Sequence, residues 1–248
     1  MRKRPYILTI AGFDPTGGAG ILADCKTFEK HKCLGMAIIT ANTIQTEDEF
    51  RALNPVENNL VLAQLEALLK KYYFNYVKIG LIPNLELLRL CIELLKKYLP
   101  DIKIIWDPVL SASAGKEFNI NLNDFDNLLN DIFLLTPNFN EVKILGQEDD
   151  AFLAAEKLAQ KTNVYLKGGH NPENPAKDYL YFNQKCYPLN PKPKQKIYPK
   201  HGSGCILASA ITANLAKGYP MIKACLRAKR YIEKVMSSNP SLLCFHYE

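Results

Sequence analysis

A glycine-rich pentapeptide, His201-Gly202-Ser203-Gly204-Cys205, stands directly before the apolar residues of a predicted helix. Glycines and a small serine at a helix start leave backbone N–H groups free to bind an anion. Cys205 would lie in the first helical turn, where the helix dipole lowers the pKa of a thiol. It could then take a proton from a substrate hydroxyl while the amides stabilise a transferring phosphoryl group. Taken alone, Cys205 fits a buried structural cysteine equally well, so both interpretations stay open.

A second glycine-rich stretch runs from Gly12 to Gly20, between a predicted strand and a predicted helix. A P-loop is excluded because Gly18 stands where that motif has lysine. Residues 18–23 match the G-x-G-x-x-A pattern of dinucleotide-binding proteins. The next predicted strand, however, ends at Asn42 without the acidic residue that such a site needs. The remaining interpretations are a ligand-binding loop and a tight strand-to-helix turn.

Oxygen-bearing side chains follow two further predicted strands, at Asp107, Thr136, Asn138 and Glu141. Carboxylates and amides at strand ends can hold Mg²⁺, usually through water. Asn138 and Glu141 also suit the start of a helix, because an acidic residue interacts favourably with the N-terminal dipole. The pattern by itself favours the helix start slightly over the metal site.

Strand-like and helix-like apolar periods alternate along the chain, which predicts an α/β fold with a parallel sheet covered on both faces. The predicted strands are residues 6–11, 34–41, 76–80, 102–106, 132–135 and 163–167. The predicted helices are residues 19–31, 57–71, 84–98, 123–130, 138–146, 149–161, 204–217 and 220–237, and residues 177–198 have the pattern of hairpins. In such a sheet, ligands bind beyond the carboxyl ends of the strands. That rule selects residues 12–14, 42–45, 78–80, 107–109, 136–138 and 167–169.

Composition excludes several classes of protein. With 248 residues, 48% of them apolar and 23% charged, the chain can fold as one globular domain spanning residues 1–248. No apolar run is long enough to cross a membrane, so we expect a cytoplasmic protein. The seven cysteines show no metal-ligand or disulfide spacing, and reduced thiols are expected. The net charge of +6 is mild, and the basic stretch 191–196 is interpreted as a solvated loop rather than a nucleic-acid site.

Taken together, the motifs resemble the ribokinase-like superfamily, and within it the hydroxymethylpyrimidine/phosphomethylpyrimidine kinases of thiamin biosynthesis. The resemblance extends from Ile7 to about Met236, in the family's order. Its motifs are residues 8–28, Val77-Lys-Ile-Gly-Leu81, Asp107-Pro-Val109, Thr136-Pro-Asn138 with Glu141, Leu166-Lys-Gly-Gly-His170 and residues 201–205. The implied fold is a three-layer sandwich with a mostly parallel central sheet and helices on both faces.

The resemblance also implies an activity. Such an enzyme uses ATP and Mg²⁺ to phosphorylate 4-amino-5-hydroxymethyl-2-methylpyrimidine and then the monophosphate, and it is expected to be a homodimer. The implied pyrimidine-binding residues are Gly12, Ala19, Asp24, Gln45, Leu81 and Val109. Cys205 matches the base position, and Gly202, Ser203 and Gly204 match an anion hole. Asn138, Lys167 and Gly168 match positions around the ATP phosphates, and Asp107 and Glu141 match the magnesium region.

Two alternatives remain. Pyridoxal kinases share the Gly-Ser/Thr-Gly-Cys element, and their substrate also has a hydroxymethyl group on a six-membered nitrogen ring. Phe13, where the family usually has a small residue, and Leu81, where it often has Met, keep this substrate open. A ligand-binding protein with weak catalytic activity on the same scaffold is the other alternative, although Asp107, Glu141 and Cys205 argue against it.

Overall fold

The structure is a computed structural model that describes residues 4–110, 125–171, 173–193 and 196–246. Within these ranges the chain forms nine strands. They are β1 (Tyr6–Phe13), β2 (Leu34–Gln45), β3 (Phe50–Pro55), β4 (Tyr76–Ile79), β5 (Lys103–Trp106), β6 (Leu134–Leu135), β7 (Asn163–Leu166), β8 (Asp178–Phe182) and β9 (Lys185–Leu189). All nine belong to one sheet with the order β3-β2-β1-β4-β5-β6-β7-β8-β9.

The described ranges also contain eight α-helices, and a short 3₁₀ turn at Gly168–His170. The helices are α1 (Gly20–Lys30), α2 (Asn58–Leu69), α3 (Leu85–Tyr98), α4 (Phe125–Leu129), α5 (Phe139–Gly146), α6 (Ala151–Leu158), α7 (Ser203–Ala216) and α8 (Met221–Met236). None of them combines the length and the apolar character that crossing a bilayer requires.

Six neighbouring strands in the middle of the sheet pair in parallel, in the spatial order β2-β1-β4-β5-β6-β7. At one edge β3 pairs antiparallel with β2, and at the other β8 and β9 continue the sheet in antiparallel pairing. Neighbouring side chains of the central strands point to opposite faces, as the period of a strand requires. Ile104 and Trp106 pack in the core formed with α2, α3, α5 and α6, while Ile105 packs in the core formed with α7 and α8. The expected three-layer α/β fold is therefore confirmed.

The parallel pairing places the carboxyl ends of β1, β4, β5, β6 and β7 along one edge of the sheet. The starts of helices α5 and α7 lie at the same edge. Asn138 caps α5, since its Oδ1 accepts hydrogen bonds from the backbone N–H groups of Asn140 and Glu141 at 2.8 and 2.9 Å. Glu141 Oε2 accepts in return from Asn138 N at 2.7 Å, which completes a capping box. The predicted helix start at Asn138 is therefore confirmed.

The largest departure from the predicted elements lies at the edge of the sheet. β2 continues four residues past the predicted end at position 41, and it turns back into β3, a strand the apolar pattern did not indicate. The two strands form an antiparallel ribbon whose exposed side chains, such as Ile44, obscure the apolar period of a buried strand. Gln45 therefore lies within this ribbon and not in a loop. The predicted helix 123–130 is α4, and positions 123–124 fall outside the described residues, as do Lys194 and Gln195 of the basic stretch.

Ile104 tests the core that fixes the central strands, because its side chain is fully buried in β5. We expect Ile104→Ala to lower the free energy of unfolding by about 2–5 kcal/mol, from lost burial and the cavity left behind. Leu153→Ala removes a similar side chain that is 58% exposed on α6, and it should change stability by less than about 0.5 kcal/mol. Equal losses in urea denaturation of the two variants would contradict this assignment of the core.

Candidate active site

A cavity of about 880 Å³ lies at the carboxyl edge of the sheet. All of the site residues expected from the sequence line it except Asp24 and Gly168. Those on its wall are Gly12, Ala19, Gln45, Leu81, Asp107, Val109, Asn138, Glu141, Lys167, Gly202, Ser203, Gly204 and Cys205. Residues distant in sequence are thus gathered in one space that is large enough for two small ligands.

The loop before α7 packs directly against the first glycine-rich loop. Gly202 has a φ of +71°, and a Cβ atom there would stand 2.0 Å from the carbonyl oxygen of Gly18. Gly20 has a φ of +59°, and its Cβ would stand 2.3 Å from Gly12 O. Residues other than glycine rarely adopt these φ values, and neither position has room for a side chain. The two glycine motifs therefore serve the close approach of two loops. At the start of α7 the Ser203 N–H donates to Lys200 O at 3.4 Å.

At Cys205 the structure disagrees with the lowered pKa that its place at a helix start suggested. The helix start was expected to lower the pKa of its thiol, but burial raises that pKa to about 12. Lys78 and the backbone amide of Gly20 lower it, whereas the carboxylates of Asp107 and Asp24 raise it. Desolvation of the thiolate, together with the two carboxylates, outweighs Lys78 and the helix start. Cys205 is therefore a protonated thiol at neutral pH.

Lys167 lies between two carboxylates on the cavity wall. Its Nζ donates to Asp107 Oδ1 at 2.8 Å and lies 3.6 Å from Glu141 Oε2. Burial opposes ionisation of Asp107, but Lys167 and Lys78 hold the pKa of its carboxyl below the ordinary value. Burial raises the pKa of Glu141, and Lys167 offsets this only in part. The cluster joins the ends of β5 and β7 to the start of α5.

The same cluster suits a magnesium ion held together with phosphates. Asp107 and Glu141 supply two carboxylates, and the described residues contain no group of three or more His, Cys, Asp and Glu side chains able to hold a metal. Mg²⁺ is usually bound through one or two carboxylates, with phosphate oxygens and water completing its octahedron. The residues present therefore fit this ion. Asn138 Oδ1 already caps α5, so a phosphate contact by this side chain has to use its NH₂ group.

Asp24 lies behind the cavity wall, and it is fully buried in α1. Its carboxylate accepts hydrogen bonds from Lys78 Nζ at 2.9 and 3.1 Å, from Thr9 Oγ1 at 2.6 Å and from Ser209 Oγ at 2.6 Å. Lys78 lines the cavity in its place. Burial opposes the charge of Lys78, but Asp24 and, more weakly, Asp107 raise the pKa of its ammonium. The acidic position expected at the pyrimidine thus orients a lysine below the cavity.

Gly168 is the second expected residue that the structure places off the wall. Its backbone N–H donates to Asp178 Oδ1 at 2.7 Å, and a Cβ would collide with Lys177 O at 1.8 Å. The next residue, Gly169, lines the cavity instead. Gly168 therefore has a packing role that lets the chain turn directly after Lys167.

Sequence reasoning missed the contact between Asp14 and His201, which both line the cavity. His201 Nε2 lies 2.9 Å from Asp14 Oδ2, so this buried pair joins the two glycine-rich loops. Burial alone would raise the pKa of Asp14, but His201, Thr16 and Ala19 hold it below its ordinary value. Both residues lie within the two glycine-rich motifs, and an ionisable side chain in each motif was the sequence signal that could have identified them as candidate site residues. Phe50 on β3 also lines the cavity, and it was missed with that strand.

The fold and the cavity define the class of protein. The chain superposes on the pyridoxal kinase of Staphylococcus aureus in complex with AMP-PCP and pyridoxal with a TM-score of 0.83. The two sequences are 27% identical, over 95% of this chain and 89% of that one. This chain accordingly has the ribokinase-like fold of a small-molecule kinase.

The family is narrower than the fold. The profile of the family described as phosphomethylpyrimidine kinase matches residues 14–246. The hydroxymethylpyrimidine/phosphomethylpyrimidine kinase of Aquifex aeolicus is 33% identical over 248 residues, which cover 95% of each protein. The kinase of the same description in Saccharomyces cerevisiae is 34% identical over 95% of this chain, and this chain spans 46% of its length. The chain belongs to the phosphomethylpyrimidine kinase family.

The buried pair of Lys78 and Asp24 can be tested by removing each charge in turn. Lys78→Met leaves the Asp24 carboxylate without its ammonium, and Asp24→Asn leaves the ammonium alone, so each should cost about 3–5 kcal/mol of stability. The double variant carries no unpaired charge and should be more stable than either single variant. Urea denaturation of the three proteins measures the difference. Additive losses in the double variant would show that the two groups do not depend on each other.

Alkylation distinguishes the two descriptions of the Cys205 thiol. Since its pKa is raised to about 12, the reactive thiolate is scarce at pH 7, and its fraction rises about tenfold per pH unit up to pH 10. Labelling by iodoacetamide, followed by peptide mass spectrometry, should show that slope at Cys205. Exposed Cys186 serves as the control and should react faster at pH 7. A Cys205 rate that levels off by pH 8 would restore the low pKa expected from the helix start.

Proposed function

We propose that this chain phosphorylates the hydroxymethyl group of 4-amino-5-hydroxymethyl-2-methylpyrimidine with ATP, and then the monophosphate to the pyrophosphate, in thiamin biosynthesis. The observation that carries the proposal is that Gln45, the start of α7 and the Lys167 cluster all line one cavity. Membership of the phosphomethylpyrimidine kinase family supports the choice of substrate.

The pyrimidine lies at the Gln45 end of the cavity in this proposal. Apolar side chains of Leu81 and Val109 enclose a flat ring, and Gly12 stands against Leu81 so closely that a Cβ would meet Leu81 Cδ2 at 2.7 Å. The Gln45 amide can donate one hydrogen bond and accept another from an amino-pyrimidine edge. Ala19 leaves room for the ring beside the start of α1. Asp24 contributes indirectly, by holding Lys78 at the cavity wall.

ATP phosphates lie between the Lys167 cluster and the start of α7. The backbone amides of Gly202, Ser203 and Gly204 bind the transferring phosphoryl group, and Lys167 neutralises its charge. A Cβ atom at position 204 would stand 3.2 Å from Lys167 Nζ, so the glycine leaves room for this ammonium group. Asp107 and Glu141 hold Mg²⁺, which when bound offsets negative charge on the phosphates.

Cys205 acts as a protonated thiol in this mechanism. Phosphoryl transfer passes through a loose transition state in most analyses, so the attacking hydroxyl can keep its proton until late in the step. As the new O–P bond forms and the bond to the leaving ADP breaks, the proton passes to an oxygen of the transferred phosphoryl group and from there to water. The thiol lies beside Lys78 and Asp107 at the bottom of the cavity, where it orients the hydroxymethyl oxygen. Positioning and electrostatic stabilisation supply most of the rate enhancement.

Three further features belong to the proposal. Residues 1–248 act as one kinase domain in the cytoplasm, and the functional unit is a homodimer. Among the described residues β3 is the last strand on its side of the sheet, and Ile44 beside it is 52% exposed. An edge strand can serve as a template for pairing with a second copy.

Pyridoxal is the second candidate substrate. The similarity to a pyridoxal kinase structure with bound pyridoxal favours it, and Phe13 and Leu81 on the cavity wall both depart from the family's usual pattern. Both substrates present a hydroxymethyl group on a flat nitrogen heterocycle, so the same phosphoryl-transfer end would serve either.

ADP release with MgATP tests the function directly. We expect turnover of the hydroxymethylpyrimidine and of its monophosphate, and slower turnover of pyridoxal. Gln45→Ala should lower kcat/KM for the pyrimidine by about 10-fold, because one to two hydrogen bonds are lost. Cys205→Ala should lower kcat by about 10–100-fold, since the reacting oxygen loses its orienting group. Cys186→Ala, at an exposed cysteine away from the cavity, is the matched control.

Each outcome decides between the candidates. A clear preference for pyridoxal would move the function to vitamin B6 salvage and keep the chemistry. Binding of pyrimidine and nucleotide without ADP release would instead indicate a ligand-binding protein. Unchanged turnover in both Gln45→Ala and Cys205→Ala would reject the assigned site.

A further inference from the structure

After α8 the chain continues as Ser237–His246, a segment without helix or strand that we call the strap. It packs across the loop that precedes α7. Tyr198 N donates to Met236 O at 2.9 Å where the strap begins, and His201 N donates to Leu242 O at 3.0 Å. The strap therefore bonds to the backbone on the N-terminal side of Gly202.

Lys200 makes the main polar contact with the strap. It is 7% exposed, and its Nζ donates to the backbone oxygens of Asn239 and Ser241 and to Asn239 Oδ1 at 3.1 Å. Within the described part of the chain no carboxylate forms an ion pair with it. A buried ammonium is costly unless its donors are satisfied. Because the acceptors lie in the strap, Lys200 holds that segment in one place.

The strap also contacts the first glycine-rich loop. A Cβ at Gly18 would meet Leu243 Cδ2 at 2.9 Å and His201 Cδ2 at 2.7 Å, so both side chains pack on this glycine. Leu242 reaches the cavity wall. The strap thus contacts both the first glycine-rich loop and the loop before α7, the same two loops that the buried Asp14–His201 contact joins.

The far end of the strap is fixed as well. His246 Nδ1 lies 2.7 Å from the hydroxyl of Tyr231 on α8, and Phe245 N donates to Ser238 Oγ at 3.1 Å. Ser241 Oγ donates to Leu243 O at 2.8 Å. With both ends bonded, the strap can resist movement of the loop it crosses.

We propose that Lys200 is a positioning residue for phosphoryl transfer, which acts through the strap to hold the amides of Gly202, Ser203 and Gly204 at their place in the cavity. This inference rests on the proposed function. A displacement of about 1 Å in a positioning group can cost about 100-fold in rate. Lys200 also lines the cavity, but its Nζ is bonded to the strap, and the pyrimidine end and the Lys167 cluster lie on other elements. Ground-state binding should therefore depend on Lys200 only weakly.

Lys200→Met tests the proposal, with Lys196→Met as the matched control. Lys196 belongs to the same loop, but it is exposed and its ammonium lies over the Tyr198 ring, 5.2 Å from the centroid. We expect Lys200→Met to lower kcat by about 10–100-fold, with KM for ATP and for the pyrimidine changed less than about threefold. Lys196→Met should leave all three constants unchanged. Loss of the same size in both variants, or a rise in KM without a fall in kcat, would overturn the proposal.

Asn239→Ala is a milder second variant, for use if Lys200→Met does not fold. It keeps the Lys200 ammonium and both backbone acceptors, and it removes Asn239 Oδ1, which also accepts from Ser241 N at 2.8 Å and from Ser241 Oγ at 2.7 Å within the strap. We expect a fall in kcat of about 3–10-fold, again with KM unchanged. An unchanged kcat in a folded Asn239→Ala protein in which the strap is loosened, as judged by hydrogen exchange, would count against the proposal.

Hydrogen exchange separates this inference from the proposed function, because it needs no turnover. The reporter is the His201 amide, which is bonded to Leu242 O. In Lys200→Met we expect peptides covering residues 198–206 to exchange at least about tenfold faster, while those of β4 and β5 stay unchanged. A wild-type protein without kinase activity would reject the proposed function alone. Unchanged exchange at residues 198–206 would reject the role of Lys200.

Discussion

The cavity depends on two buried ammonium groups that carboxylates keep charged. Lys78 at the floor is paired with Asp24, and Lys167 at the wall is paired with Asp107 and Glu141. A buried charge without a partner is costly, so these contacts constrain the backbones that carry them. Asp24 alone ties together α1, β1, β4 and α7, through hydrogen bonds from Thr9, Lys78 and Ser209. The position of Cys205 in the first turn of α7 follows from that network, since Ser209 lies one turn further along the same helix.

Much of the site could be predicted because a parallel sheet gathers its strand ends at one edge. Asp107, Asn138 and Lys167 each follow a short apolar run, and the structure places all three on one cavity wall. Asp24 shows the limit of that rule. It lies inside a helix, and which face of α1 is buried depends on contacts with β4 and α7 that local sequence does not encode. The ribbon of β2 and β3 was missed for a related reason, because its exposed positions interrupt the apolar pattern of a buried strand.

The remaining features depend on contacts between residues far apart in the chain. Asp14 and His201 are separated by 187 positions in the sequence, and Lys200 lies 39 positions or more before its hydrogen-bond acceptors in the strap. Such pairs leave no periodic signal, although their ionisable side chains stand within or beside the glycine motifs. The thiol of Cys205 illustrates a competition of two known effects. The helix dipole was a correct consideration, but its influence on a pKa is smaller than that of removing a thiolate from water.

A half-buried thiol with a high pKa changes what the cavity has to supply. In the proposed mechanism Cys205 carries no charge, so negative charge on the transferring group meets the ammonium groups of Lys78 and Lys167 and the amides at the start of α7, with no thiolate to repel it. Asp107 lies between these lysines, and its carboxylate keeps their charges fixed in place. An arrangement of fixed charges and amides stabilises a loose phosphoryl transition state without a strong base. The geometry of the two glycine loops, and the contacts that hold them together, therefore matter more for the rate than the acidity of the cysteine.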